Sequence, residues 1–221
     1  FGIGQIGKAF RNEISPRDFV FRSREFEQME VEYFIKEEGW EKHFENWRVI
    51  MNNFAKEIGI ENIYELEVPV ENRAYYSKRT LDFQFDYPFG RGELWGLAYR
   101  TDFDLKNHNQ DYFDEESGER FTPHVIEPSL GVDRTVLAVL LSSYSEDELG
   151  GEKRIYLKLP KSIAPIRAAV FPLLKNKPEL VSKAREVFLN LKSQISDLEF
   201  DDNGNIGKRY RRRDEIGTPY C

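Results

Sequence analysis

The chain has 221 residues, 40% hydrophobic and 32% charged, with a formal net charge of -7. That length allows one large domain or two small ones, and the apolar share supports a packed core, which excludes global disorder. The longest apolar run, around Val136 to Leu141, is far too short to span a bilayer, and the single cysteine, Cys221, excludes a disulfide framework and a cysteine-based metal site. No membrane partner and no secretory leader are expected, and a reducing, cytoplasmic setting fits best.

The charge is uneven. Residues 161–221 hold 12 Lys+Arg against 8 Asp+Glu, a net +4, while the first 160 residues hold 20 against 31, a net -11. A basic C-terminal part behind an acidic body points to a polyanion partner for that part, or to ordinary surface variation.

In chain order, residues 1–12 and 25–35 read as two strands. In the second, Met29, Val31, Tyr33 and Ile35 alternate with Glu30, Glu32 and Phe34. Trp40, Phe44, Trp47, Ile50, Met51, Phe54 and Ile58 recur at three- and four-residue spacing, which predicts an amphipathic helix over 37–59 with Gly59 at its C-cap. "RTLDFQFDYP" and "GELWGLAYRT" read as strands around the turn "PFGRG", and "TDFDLKNHNQ" as the start of a short helix capped by Thr101 or Asp102. "DEESGER" reads as a polar turn, "FTPHVIEPSLG" as a strand ending at Pro128, and residues 131–148 as a helix apolar on most sides and therefore buried. "KLPKSIAPIR", with Pro160 and Pro165, marks a linker. After it the order is strand, helix, strand, helix. The first part is thus α+β with antiparallel hairpins, and the second α/β.

Three stretches carry chemistry. "FRNE" and "FRSREF" place Arg11, Arg22 and Arg24 on one hairpin beside Glu13 and Phe26. Guanidinium forks match phosphate oxygens, an aromatic can stack on a base, and a carboxylate can accept from an exocyclic amine. A solvated hairpin with cross-strand ion pairs is the other reading. In "EPSLGVDR", Glu127 and Ser129 stand near a strand end, Gly131 turns the chain into a helix, and Arg134 falls in its first turn. A cation there opposes the helix dipole, which makes sense against an anion or a π-face. In "GELWGLAYRTDFDL", Glu93 and Arg100 lie among apolar neighbours and need partners: an ion pair within the sheet, or a metal-bound phosphate for Glu93.

The words "FRNE", R-x-x-x-F from Arg22 to Phe26, and "GVDR" resemble motifs 2 and 3 of the class II aminoacyl-tRNA synthetases. "AFRNEISPR", "REFEQMEVEYF", "GELWGLAYRTDFDL" and "HVIEPSLGVDR" narrow the resemblance to glycyl-tRNA synthetases of the homodimeric type. "APIRAAVFPLLK" and "GNIGKRYRRRDEIGTPY" resemble the start of their anticodon-binding domain. The colinear match covers nearly the whole chain.

The resemblance implies a partial class II catalytic domain with an antiparallel sheet over 1–159 and a truncated α/β anticodon-binding domain over 160–221. It implies ATP-dependent attachment of glycine to tRNA(Gly) through a glycyl-adenylate, with ATP and Mg2+ required. The ATP ligands implied are Arg11, Asn12, Glu13, Phe21, Arg22, Arg24, Glu25 and Phe26, then Glu93 and Leu94, then Gly131, Asp133 and Arg134. Phe26 and Arg134 would take the two faces of adenine, and Arg11, Glu93 and Arg134 would be catalytic, with Glu93 holding the metal. The glycine pocket would draw on Phe26, Gln28, Glu30, Arg100, Glu127, Ser129 and Gly131. Lys208, Arg209, Arg211, Arg212 and Arg213 would contact tRNA, the alternative being a solvated helix face.

No side chain is singled out as general base for the transfer to tRNA. A motif 1 and a homodimer interface are expected upstream of Phe1 in a longer protein. A non-catalytic, synthetase-like tRNA-binding or regulatory paralogue is the other function class. Arg11, Arg22, Arg134, Glu30 and Glu127, all present, count against it.

Overall fold

The computed structural model describes residues 1–221, the side chain of Leu149 excepted. Two compact units emerge, one of Phe1–Lys56 with Ile60–Ala138, the other of Glu57–Gly59 with Val139–Cys221. The 159/160 division drawn from the linker falls inside the second unit.

The first unit is built on a six-stranded sheet. Its strands are β1 (Gly2–Phe10), β2 (Glu25–Ile35), β3 (Ile63–Glu67), β4 (Arg79–Tyr87), β5 (Gly90–Thr101) and, beyond the short strands β6 (Tyr112–Asp114) and β7 (Glu119–Phe121), β8 (His124–Gly131). The sheet order is β1-β2-β8-β5-β4-β3, every neighbour antiparallel. Period-two alternation sorts the side chains. Leu81, Phe83, Trp95, Leu97, Tyr99 and Ile126 are buried, with α1 (Trp40–Glu57) supplying Phe44, Met51 and Ala55 to the same core. Trp40 stacks on Tyr99 at 4.2 Å between centroids, and Phe54 meets Trp95 at 5.7 Å. Gly59 follows α1 with φ +80°, the left-handed conformation expected of its C-cap.

β8 departs from expectation, and so does the helix after it. The strand does not end at Pro128 but runs on to Gly131. Proline lacks a ladder N–H, and the β2–β8 pairing is interrupted there, from Glu30↔Ser129 to Tyr33↔Ile126. The helix expected over 131–148 stops at Ser143, and in its observed form, α3 (Val132–Ser143), Val136 and Leu140 are exposed rather than buried.

Residues 144–149 instead form β9 (Tyr144–Leu149), paired with β10 (Glu152–Leu157) through Gly150-Gly151. Both glycines have positive φ, +64° and +83°, which a two-residue hairpin turn of this hand demands. β6 and β7 pair with each other and flank the polar turn read at "DEESGER". These two and β3 were not legible, being short or weakly alternating. The short helix read at "TDFDLKNHNQ" is α2 (Phe103–Asn107), with Asp102 at its N-cap.

In the second unit β11 (Ala168–Val170) pairs parallel with β12 (Leu198–Phe200), and α4 (Pro178–Lys192) crosses between them. α5 (Ile206–Glu215) comes next, its first turn capped by the Asn205 side chain, which accepts from Lys208 N–H at 2.9 Å. The α+β expectation for the first part and the strand–helix order of the second both hold. Among the described residues no helix is long and apolar enough to cross a membrane.

Candidate active site

The polar face of the sheet carries the site, and strand register assembles it. One row runs across the whole sheet as Gln5, Glu30, Ser129, Gly96, Asp82 and Leu66. Two residues along, Glu127 pairs with Ala98 and Ala98 with Thr80, while the β2–β8 register sets Glu32 opposite Glu127. On the other side Gln28 faces Gly131. Gly96, Ala98 and Gly131 have little or no side chain, so they form a low floor between walls of carboxylates and hydroxyls. Two adjoining clefts of about 200 and 350 Å3 lie on this face, sharing Arg11, Gln28, Glu93 and Ser129.

The smaller cleft lies against the β1–β2 loop. Arg11 N–H donates to the Arg24 carbonyl at 2.9 Å and closes the loop, inside which Arg17 and Arg22 form a further bridge. Arg11, Glu13, Arg22 and Phe26 line the cleft from this side, with Phe21 at its edge. The Arg11 guanidinium lies 5.3 Å from the Phe26 ring centroid. Arg22 sits 3.5 Å from Glu13 Oε1, and its buried Nε–H has no partner among the described residues. A desolvated, unsatisfied guanidinium donor is costly unless an acceptor comes in, and a phosphate oxygen is the acceptor a guanidinium fork fits best.

Arg134 closes the cleft from α3. It donates from Nε to the Phe21 carbonyl at 3.1 Å and from Nη1 to the Glu93 carbonyl at 2.9 Å, and lies 4.2 Å from the Phe21 ring centroid. Its carboxylate neighbour Glu93 is 3.6 Å away. The cation in the first helical turn therefore rests against a π-face, two carbonyls and a carboxylate. Leu94, Gly131 and Asp133 also border this cleft, and Asp133 accepts from Glu27 N–H at 2.9 Å, tying α3 to β2. Three residues expected at the nucleotide do not line it. Asn12 is exposed, Arg24 turns its Nε to the Glu13 carbonyl, and Glu25 pairs with Lys8. Asn12 and Arg24 lie in the loop between β1 and β2, and Glu25, the first residue of β2, alternates with the inward Phe26.

The larger cleft holds Glu30, Arg100, Glu127 and Ser129. Gln28 donates to Glu30 Oε1 and to Ser129 Oγ, both at 2.6 Å, and Ser129 Oγ donates to the same Glu30 oxygen at 3.1 Å. Glu30 Oε2 has no partner among the described residues and remains an acceptor. Arg100 is the extra residue of a bulge, between Tyr99↔Ile126 and Thr101↔Val125, and Thr101 takes φ +58° beside it. Bulges re-aim side chains; this one gives Arg100 to Glu127 and to Asp104, the latter 2.7 Å from Nη2. Tyr76 stacks on the same guanidinium, 4.2 Å from the ring centroid.

Glu30, Glu32, Asp104 and Glu127 gather around the Arg100 guanidinium. Burial pushes the Glu127 carboxyl up although Arg100 pulls it down. Burial, then Glu127, push Glu32 up to about 7. Burial, then Glu93, push Asp82 up to about 6. An excess of desolvated carboxylates over cations is what a cationic ligand relieves. Sequence reasoning missed Asp82, Glu32 and Tyr76. The first two sat on polar faces of alternating strands and looked like solvent-facing positions.

The second unit places the cations of "KRYRRR" differently from a basic helix face. Arg209 is 1% exposed and donates to the carbonyls of Pro172, Asp202, Asn203 and Gly204. Arg213 is buried and pairs with Glu199 and Asp201. These two guanidinia are not presented to a nucleic acid, because the α5 face that carries them is turned into the unit. Lys208, Arg211 and Arg212 remain on the outside, with Arg212 paired to Asp201 and Arg211 to Glu215.

Comparison with known proteins agrees with the motifs. Residues 1–144 match the family model described as tRNA synthetase class II core domain (G, H, P, S and T), and residues 167–221 match one described as anticodon binding domain. The chain is 50% identical over 230 residues to the glycine–tRNA ligase of Clostridium acetobutylicum, covering 100% of this chain and 49% of that protein. It is 47% identical over 229 residues to the glycine–tRNA ligase of Caldanaerobacter subterraneus subsp. tengcongensis, with the same coverages. The chain thus spans about half the length of the curated relatives it matches. Among solved structures it resembles Giardia lamblia prolyl-tRNA synthetase in complex with prolyl-adenylate, with a TM-score of 0.78 and 17% identity over 99% of this chain and 44% of that one, a likeness of fold. The chain belongs to the class II tRNA synthetase core family.

Proposed function

We propose that this chain forms the catalytic core and part of the anticodon-binding domain of an enzyme that attaches glycine to tRNA(Gly). Residues 1–159 make the first and 160–221 the second. The observation that carries the reading is the Gln28–Glu30–Ser129 network beside the Arg100–Glu127 pair, directly adjoining the arginine-lined cleft. Glu30, Glu127 and Ser129 suit an ammonium group, Arg11 suits the carboxylate and α-phosphate beside it, and the unsatisfied Arg22 suits the outer phosphates. Adenine fits between Phe26 and Arg134, with Glu13 taking its amine.

Glycine's carboxylate attacks the α-phosphate in line and pyrophosphate leaves. Arg11 stabilises charge that grows on phosphorus, and positioning supplies much of the rate. A divalent ion of the magnesium type keeps several waters and takes one or two carboxylates plus phosphates, a need that the half-exposed Glu93 meets. When bound it would neutralise phosphate charge. Outer cations Lys208, Arg211 and Arg212 contact tRNA. The full-length enzyme works as a homodimer in the cytoplasm.

The test is glycine-dependent pyrophosphate exchange by the full-length enzyme. Exchange with glycine alone supports the proposal; exchange with another amino acid, or none with any, sinks it.

A further inference from the structure

Loop 68–78, between β3 and β4, borders the larger cleft and gives it Val68, Asn72, Arg73, Ala74 and Tyr76. Its ends are fixed. Arg73 donates from Nε to the Val68 carbonyl at 2.8 Å and from Nη1 to the Lys78 carbonyl at 2.6 Å, so one side chain fastens both ends of the loop. Lys78 N–H donates to the Tyr99 carbonyl at 2.9 Å, which seats the loop on β5 one residue before Arg100.

The loop brings the Tyr76 ring to 4.2 Å from the Arg100 guanidinium, and an aromatic face attracts a cation. Arg100 is also held at its edge. Asp104 accepts from Nε at 2.8 Å and from Nη2 at 2.7 Å, which leaves Nη1 for Glu127. The two supports meet each other. Tyr75 lies 5.2 Å from Tyr76 and 5.3 Å from Phe103, edge to face in both cases, and Phe103 precedes Asp104 in α2. Loop 68–78, α2 and β5 therefore close a circuit around one guanidinium. A long arginine side chain otherwise has many rotamers, and fixing it in one of them is what presents Nη1 to Glu127. Unbraced among Glu30, Glu32, Asp104 and Glu127, the guanidinium could take Glu30 instead, the carboxylate that an ammonium needs.

We propose that Tyr76 is a positioning residue for the amino-acid site: its ring fixes the Arg100 guanidinium against Glu127, which aims the Glu127 carboxylate at the ammonium and leaves Glu30 free for it. This rests on the glycine–tRNA ligase reading above. Tyr76 acts through Arg100 and touches neither substrate in this role. Loop 68–78 gives no residue to the smaller, arginine-lined cleft, so the effect falls on the amino acid and not on ATP. Leucine at this position keeps apolar bulk and loses the π-face. Phenylalanine keeps the π-face and loses only the hydroxyl.

The experiment compares wild type, Tyr76→Phe and Tyr76→Leu in the full-length enzyme by pyrophosphate exchange, with KM for glycine and for ATP measured separately. Tyr76→Leu should raise KM for glycine about 10-fold, the size of a half-buried cation–π contact, with KM for ATP within about twofold of wild type. Tyr76→Phe should keep KM for glycine within about twofold of wild type. Calorimetry with a non-hydrolysable glycyl-adenylate analogue supplies a cycle that needs no activity. There Tyr76→Leu should weaken binding about 10-fold alone and less than about twofold on top of Arg100→Ala, since the group it positions is gone. A leucine variant that matches wild type for glycine, a phenylalanine variant as impaired as the leucine one, equal rises in the two KM values, or full additivity with Arg100→Ala overturns the proposal. Wild-type enzyme that gives no exchange with glycine overturns the parent reading instead.

Discussion

Replacing Arg209 with alanine should unfasten α5 rather than weaken nucleic-acid binding. The guanidinium is enclosed, 1% exposed, and donates to Gly204 at 2.7 Å, Asp202 at 3.1 Å, Asn203 at 3.4 Å and closely to Pro172. Hydrogen bonds from a charged donor contribute about 1.5–3 kcal/mol each, and the 3.4 Å contact adds little. Three effective bonds at the lower figure amount to about 4 kcal/mol, since water entering the vacated volume satisfies part of what is lost. At about 1.4 kcal/mol per decade this is nearly a thousandfold. Hydrogen exchange of the α5 amides reads that local stability directly. Arg211→Ala, which removes only an exposed pair to Glu215, is the companion and should change protection less than about threefold. If R209A costs less than tenfold in protection while weakening tRNA binding as R211A does, the guanidinium faces outward and the placement is wrong.

Other consequences are as direct. Glu30→Gln leaves the network donors in place but removes the charge opposite an ammonium, so KM for glycine should rise about 10- to 100-fold with KM for ATP little changed; equal rises would place Glu30 elsewhere. Glu32, held near 7 against an ordinary 4.5, binds its proton more tightly in the folded chain. Its contribution is therefore complete below about pH 4.5 and is lost as pH rises through about 7, and Glu32→Gln should flatten the urea midpoint across that window. Parallel slopes for the two proteins would contradict this. A Cβ at Gly92 would meet the Phe21 ring at 2.7 Å, so Gly92→Ala should cost about 1–3 kcal/mol in thermal unfolding and weaken ATP binding, both through the displaced ring. Unchanged ATP affinity would detach Phe21 from the nucleotide.

Legibility tracked the range of the interactions involved. α1 announced itself because its apolar stripe and Gly59 are local signals. β2 did so through strict alternation, and the motif words placed Arg11, Arg22, Glu30, Glu127 and Arg134 without any knowledge of register. What was lost depends on partners far away in sequence. The β9–β10 hairpin looked like a helix tail until Gly150-Gly151 folded it back. Pro128 looked like a strand end because nothing local shows that its ladder is interrupted on the β2 side. Asp82 and Arg209 were misjudged for opposite reasons: a polar residue on a strand lining a cleft, and a cation on a helix turned inward, both resemble solvent-facing charge in one dimension.

β8 stands third in the sheet but comes after the other five strands in the chain. Two hairpin-like halves, β1-β2 and β3-β4-β5, can each form from neighbouring segments as they are synthesised. Neither half is completed until β8 slides between them, bringing Glu127 and Ser129 with it. The larger cleft is thus closed by the same event that joins the sheet, and loop-closure entropy makes that event the slow one. A chain caught short of it has the arginines of the β1–β2 loop but lacks both Glu127 and Ser129 and the α3 side of the smaller cleft. Such an intermediate lacks both clefts, so any ligand of either one acts on folding only after the last strand has docked.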